Sequence, residues 1–385
     1  MEVKVFEGKN PNVKKYVFLK EDSVYEAVVY KYPEYKERTV ICCSVMSGCP
    51  VGCVFCGTGK RFVRNLDYQE IEEQIQYILE KEGIESYISD IKKFQIMFMS
   101  MGEPMLNWEQ VKTALIHLCV RYPNAQLLLS TMGIKDDNVL LDMINLSKQI
   151  EKIGLQYSLH NCMDEERHEL IPFKNKYTIR EMRDRLLLFY KETGRKPYIN
   201  YCVTENNHTD KHIEKMLDLF SPTAFCFTFS TICNADKNSE EDQTDYSGLQ
   251  QIQNVFLQNG YDVRIFDPAG KDDCSRTASS GADCGSSGGL CKCGGIQGTH
   301  HAGWCALYCG TGTQGRQQCG SVDYQCPFVP AGAAGRLLKP DQQENSRKDQ
   351  QVMVNAILIL QKEKQKQQDN QGVFIQQPAQ AALAV

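Results

Sequence analysis

The 385-residue sequence lacks any apolar run long enough to span a membrane; Ala356-Ile357-Leu358-Ile359-Leu360 is far too short. Met1-Glu2-Val3-Lys4-Val5 shows no secretory leader pattern. A large excess of charge of one sign is lacking too. A net charge of −5 gives no global electrostatic push toward nucleic acid, so any RNA site must be a local basic patch. These absences predict a cytoplasmic protein without a membrane partner. Cysteine, in contrast, is abundant, with eighteen copies. Secreted disulfide scaffolds are small, whereas this chain is long enough for one large domain or two ordinary ones. A reducing compartment and thiolate chemistry are therefore expected.

Three cysteines stand in one short loop, Cys49-Pro50-Val51-Gly52-Cys53-Val54-Phe55-Cys56, at the spacing C-x3-C-x2-C. The loop follows the apolar run Thr39 to Met46, which reads as a strand, and precedes a helical stretch from about Tyr68 to Leu79. Three thiolates from one loop can hold three irons of a [4Fe–4S] cluster and leave the fourth open to a small molecule. A structural zinc would want a fourth Cys or His nearby, and none lies close on the C-terminal side. Gly48 and Gly52 would let the loop wrap closely.

Residues 3–35 read as short strands: Val3 to Phe6, Lys15 to Leu19 and Val24 to Tyr30. From Thr39 strands and helices alternate. Strands are expected at 94–100, 125–130, 155–160, 198–203, 225–231 and 261–266, with helices at 107–120, 138–150, 178–190, 210–220 and 247–259. Repeated β-α units imply a parallel α/β sheet with right-handed crossovers. From about Cys274 the composition shifts to Ser, Gly and Cys, then to Gln and Ala. Residues 285–385 are expected to be mostly disordered or poorly packed, with one isolated helix over Val352 to Lys362. His300, His301 and the cysteines between Cys291 and Cys326 match no compact zinc knuckle.

The cysteine loop resembles the signature of the radical S-adenosylmethionine (SAM) superfamily. Its surroundings resemble the RlmN/Cfr-type RNA adenine methyltransferases over about residues 16–273. The resemblance implies a partial (β/α)6 radical SAM barrel over 39–273, after an N-terminal β extension over 1–38. A candidate catalytic-cysteine segment, 274–290, and a low-complexity tail, 291–385, follow. It also implies that Cys49, Cys53 and Cys56 hold the [4Fe–4S] cluster. Met101-Gly102-Glu103-Pro104 resembles the Gly-Glu-Pro motif, whose Gly102 and Glu103 would meet the amino group of SAM. Ser130-Thr131-Met132-Gly133 resembles Ser-Thr-x-Gly, with Ser130 toward SAM. Ser158-Leu159-His160 resembles Ser-Leu-His, extended by Asp164-Glu165-Glu166-Arg167, and implies SAM contacts from all three residues. Asn234 is the candidate for a further SAM contact. The family's usual N-terminal helical RNA-binding domain has no counterpart before the loop.

Cys42 lies seven residues before Cys49. In the family a cysteine near that offset is the acid/base and later forms a disulfide. Cys43 beside it would point to the opposite face by strand alternation. The second family cysteine is a methyl relay. Cys284, in Asp283-Cys284-Gly285, matches its Cys-Gly core, and Cys274 competes by its distance from the last strand. The implied reaction transfers a methyl group through that cysteine to an adenine carbon, C2, of rRNA or tRNA, since this electron-poor carbon requires a radical route. Lys60, Arg61 and Arg64, or Lys174, Lys176 and Arg180, would meet phosphates. A reductant such as flavodoxin or ferredoxin and a monomeric state are implied as well. The alternatives are a radical SAM enzyme with another substrate, or a cluster-bearing RNA-binding protein without methylation activity.

Overall fold

Apolar residues alternating along the first hundred residues build one flank of a curled sheet. In the computed structural model, residues 1–7, 11–204, 206–231, 246–266 and positions 356, 358, 359, 361 and 362 are described. β1 (Glu2–Glu7), β2 (Val13–Leu19), β3 (Val24–Lys31) and β4 (Arg38–Cys43) form an antiparallel meander. From β4 onward the sheet is parallel. It continues through β7 (Lys93–Phe98), β8 (Ala125–Thr131), β9 (Ile153–Ser158), β10 (Tyr198–Val203), β11 (Cys226–Thr231) and β12 (Asp262–Phe266). A two-stranded ribbon, β5 (Met46–Gly48) with β6 (Phe62–Asn65), brackets the cysteine loop.

Helices supply the crossovers: α1 (Tyr68–Lys81), α2 (Trp108–Arg121), α3 (Asp137–Gln149), α4 (Asp164–Leu170), α5 (Ile179–Thr193), α6 (Asp210–Leu219) and α7 (Tyr246–Gln258). Capping boxes start two of them, Asp67 with Glu70 on α1 and Thr178 with Glu181 on α5. Each satisfies orphan N–H groups and contributes about 1 kcal/mol. The main core lies between the helices and the convex face of the sheet. Ile41, Cys43, Ile96, Phe98, Leu127 and Leu129 point into it.

The opposite, concave face carries a second cluster of Val13, Val28, Tyr30, Val40 and Cys42, with Met97, Met99 and Phe266 against it. Phe266, ending β12, meets Tyr30 of β3 edge-on with ring centroids 6.3 Å apart. The sheet thus curls until its flanks touch, although among the described residues no ladder joins β12 to β1. This is the open, partial barrel that the sequence implied.

Three departures from the sequence reading have local causes. The run Thr39 to Met46 is not one strand. It breaks at Ser44, whose hydroxyl bonds both backbone groups of Glu26 while its N–H donates to Gln74. The fourth strand of the repeat ends at Ser158 rather than at 160, because Leu159 N–H donates to the Asn200 carbonyl and His160 turns with φ +58°. The late helix is not isolated. Ala356 and Ile359, three apart and so on one helix face, are buried within the main core. Most of 285–385 lies outside the described residues. Among the described residues no helix is long and apolar enough to cross a membrane.

Candidate active site

The cysteine loop is built to wrap tightly. Gly48 has φ +79°, and a Cβ there would overlap the Arg61 carbonyl. Cys49 N–H donates to that same carbonyl at 2.9 Å, and Val54 N–H to the Leu170 carbonyl at 3.0 Å. These bonds tie the loop to the residue before β6 and to the end of α4. Cys49 and Cys56 are buried and Cys53 is half-buried.

All three thiols line one cavity, shared with Gly102, Glu103, Ser130, Ser158, His160 and Asn200. The cavity opens at the carboxyl ends of the parallel strands, where barrels of this type place chemistry. Burial pushes the Cys49 thiol up to about 12, Cys56 to about 11, and Cys53 upward as well. Thiols in that setting ionise only with a cation to hold them. Among the described residues no three His, Cys, Asp or Glu side chains form a group fitted to a metal ion. The donor set available in this cavity is three thiols. That suits a polynuclear cluster, in which each sulfur holds its own iron.

Glu103 is buried at the strand end after β7. One carboxylate oxygen accepts from Met105 N–H at 3.1 Å and the other from Met132 N–H at 2.8 Å. Burial pushes this carboxyl up to about 7, against the pull of those N–H groups and of Thr131. Glu103 therefore braces its own turn against the end of β8 while facing the cavity. Gly102, at φ +99°, lets the turn cross Met46, whose Cγ would stand 2.6 Å from a Cβ. Ser130 and Ser158 sit on neighbouring strands with their hydroxyls 3.4 Å apart.

His160 is 2% exposed. Burial and the nearby Arg167 hold its imidazole down at about 3, so the ring is neutral. Its Nδ1 accepts from Cys202 N–H at 3.2 Å, which leaves the proton on Nε2. Phe55 of the cysteine loop packs edge-on to this ring at 5.2 Å. Leu159 does not line the cavity; its side chain is in the main core and its carbonyl accepts from Arg167. Cys42 lies on the concave face, where burial pushes its thiol up to about 12; Met99 borders both it and the cavity. Cys43 points into the convex core, as alternation requires. Asn234, Cys274 and Cys284 lie outside the described residues.

Of the basic residues, Arg61, Lys174 and Arg180 are exposed. Arg64 is instead held by Asp22 and Glu70, and Lys176 by His168 and the Phe173 carbonyl. Sequence reasoning gave no role to four polar residues around the site. Asn200 lines the cavity, and Arg167 is fully buried behind it. Lys15 and Glu26 form a buried ion pair, 3.2 Å apart, on the concave-face positions of β2 and β3. Those two were readable as charges in phase with Val13, Val28 and Tyr30. Asn200 depended on the inward phase of a strand that is buried on both faces, which periodicity does not give.

No protein-family model matches the chain. Over 220 residues it is 33% identical to a probable dual-specificity RNA methyltransferase RlmN of Finegoldia magna, a stretch covering 56% of this chain and 60% of that one. A protein of the same description from Thermotoga neapolitana is 27% identical over 265 residues, 66% of this chain and 71% of the relative. The chain thus spans less than two thirds of the first relative's length. A solved structure of a radical SAM methyltransferase from Sphaerobacter thermophilus superposes with a TM-score of 0.59 at 23% identity. It covers 68% of this chain and 75% of that one, and the likeness is one of fold.

Proposed function

We propose that this chain, a relative of the RlmN-type radical SAM proteins, methylates a carbon of RNA adenine, C2 in rRNA or tRNA, through a methyl-cysteine relay. The observation that carries this reading is the single cavity lined by Cys49, Cys53, Cys56, Glu103, Ser130, Ser158 and His160. A [4Fe–4S] cluster on the three cysteines, with SAM on its open iron, would supply the one-electron route that an electron-poor ring carbon demands. The chain's own groups then have separable tasks. Glu103 and the Gly102 peptide accept from the amino group of SAM. His160, neutral and protonated at Nε2, donates a hydrogen bond without adding charge beside a sulfonium. Ser130, Ser158 and Asn200 offer further polar contacts along the wall. Phe55 covers His160 and excludes water from that side.

Cys42, on the concave face beside the cavity, is the proposed acid/base toward the adenine ring proton. Burial pushes its thiol up to about 12, so it takes the ring proton only as a thiolate, after its own proton has passed to water or to a base that the bound RNA brings. Phe266 shares the Cys42 cluster, so the segment beyond β12 begins beside Cys42. Cys274 follows Phe266 by eight residues and Cys284 by eighteen, and eight residues of chain reach at most about 28 Å. Either could approach Cys42 closely enough for the disulfide that releases product. Arg61, Lys174 and Arg180 are the exposed cations offered to RNA phosphates, and a low-potential reductant such as flavodoxin or ferredoxin is the proposed electron source.

The test is peptide mass analysis after anaerobic cluster reconstitution and incubation with SAM. A methyl increment on Cys284 or Cys274 supports the relay and identifies its residue. An intact cluster that cleaves SAM and leaves both cysteines unmethylated sinks the relay, and a different substrate is then sought.

A further inference from the structure

Arg167 is the largest fully buried side chain of the described residues. It is fixed by backbone carbonyls alone. Nε donates to Leu159 O at 3.0 Å, and one terminal nitrogen donates to Met132 O at 2.7 Å and Ser158 O at 3.1 Å. The other terminal nitrogen, Nη1, is buried without a hydrogen-bond partner. Among the described residues no carboxylate forms an ion pair with the guanidinium, and the Tyr157 ring lies 5.1 Å from it. A buried charge without a counter-charge costs several kcal/mol, so such groups are ordinarily paired. The carbonyls it grips end β8 and β9, which deliver Met132, Ser158 and His160 to the cavity. Its charge favours the anionic form of Glu103 and the neutral form of His160, but burial pushes the Glu103 carboxyl up to about 7, so that counter-charge is only partial.

We propose that Arg167 is a positioning residue and the internal counter-charge of the cavity. Its fork pins the ends of β8 and β9, and its unpaired charge is matched by the anionic iron–sulfur cluster held on Cys49, Cys53 and Cys56. This rests on the cluster reading above. Three thiolates make such a cluster net negative, and one-electron reduction makes it more so. A fixed positive charge nearby therefore favours both uptake and reduction. In the metal-free chain the same charge is a liability.

The experiment compares wild type with Arg167→Gln, which keeps an amide donor and removes the charge, and Arg167→Lys, which keeps the charge and loses the fork. Three quantities are measured: iron and sulfide retained after anaerobic reconstitution, the cluster midpoint potential by mediated electrochemical titration, and the melting temperature of the metal-free protein. Arg167→Gln is expected to retain several-fold less iron, with a more negative midpoint, while its metal-free form melts no lower than that of Arg167→Lys. Arg167→Lys is expected to hold the wild-type potential. If Arg167→Gln does not fold, Arg167→Lys decides alone, with an unchanged potential supporting the charge and a shifted one overturning it. A wild-type potential in Arg167→Gln, or parallel loss of iron and melting temperature in both variants, overturns the inference and leaves the cluster reading standing. A wild-type protein that takes up no iron overturns both.

Discussion

The backbone N–H of Cys202 on β10 donates to Nδ1 of His160 at 3.2 Å and so decides which nitrogen of that imidazole carries the proton. Asn207 secures the same turn, donating to the carbonyls of both His160 and Cys202. The ring is thus presented to the cavity as a neutral Nε2–H donor. Burial holds its ionisation down at about 3. The neutral form is therefore the one the fold favours, and that contribution is lost only as pH falls from about 6.5 toward 3. SAM affinity, followed by calorimetry, is expected to show no His160 titration between pH 6 and pH 8. His160→Asn tolerates the positive φ but lacks the imidazole donor, and should weaken SAM about tenfold, or about 1.4 kcal/mol. A full-strength Asn variant would remove His160 from the binding set.

Gly48 makes a sharper structural demand. Its φ of +79° and the overlap of any Cβ with the Arg61 carbonyl leave no room for a side chain. Because Cys49 N–H donates to that carbonyl, the overlap acts on the first cysteine of the loop. Gly48→Ala is expected to cost about 2–4 kcal/mol and to lower iron uptake. Thermal melting and iron analysis check this together. Unchanged values in both would show that the turn adapts.

Away from the site, Glu70 links three elements. It accepts from Arg64 of β6 and Lys20 after β2, and closes the α1 capping box at Asp67. Burial alone would raise its carboxyl, but Arg64, Lys20 and the Asp67 N–H hold it down at about 2. A lowered carboxylate contributes stability that is fully present above the unfolded value, near 4.5, and lost as pH falls toward 2. Acid unfolding of wild type should steepen across that window. Glu70→Gln should be about 1–2 kcal/mol less stable at pH 7 and show a shallower acid slope. Parallel acid profiles for the two proteins would refute the assignment.

Much of this was legible in the sequence because the relevant signals are local. The C-x3-C-x2-C loop, the alternating β-α pattern and the words around Glu103, Ser130 and His160 each occupy a few adjacent residues, and the fold brings them to one cavity. Arg167 was visible as a letter within a motif, but the grip of its guanidinium on three carbonyls at the ends of two strands is a property of the fold. Leu159 shows the converse. Its place between Ser158 and His160 suggested a SAM contact, yet one step along the chain at a strand end turned it into the core. The burial of Ala356 and Ile359 escaped a compositional reading because it concerns two apolar positions on one helix face within a polar stretch.

Cys42 and Cys43 provide an internal control, since they are adjacent, both buried, and on opposite faces of β4. Cys43 packs among convex-core residues, and its Sγ meets the Met97 carbonyl at 3.7 Å. Its replacement by Ala should cost about 1 kcal/mol of stability and leave methylation intact. Cys42 faces the concave side, with Met99 leading to the cavity and Phe266 marking where the C-terminal segment departs. Cys42→Ala should cost a similar amount of stability and, in the proposed reaction, preserve SAM cleavage and abolish turnover by trapping RNA covalently on the relay cysteine. The covalent adduct is read by denaturing gel electrophoresis with labelled RNA. If Cys43→Ala traps RNA and Cys42→Ala turns over, the facing of β4 has been assigned the wrong chemistry. If neither traps RNA while both retain methylation, no cysteine of this strand takes the ring proton. The face a cysteine occupies, rather than its place in the sequence, is what separates the two expected outcomes.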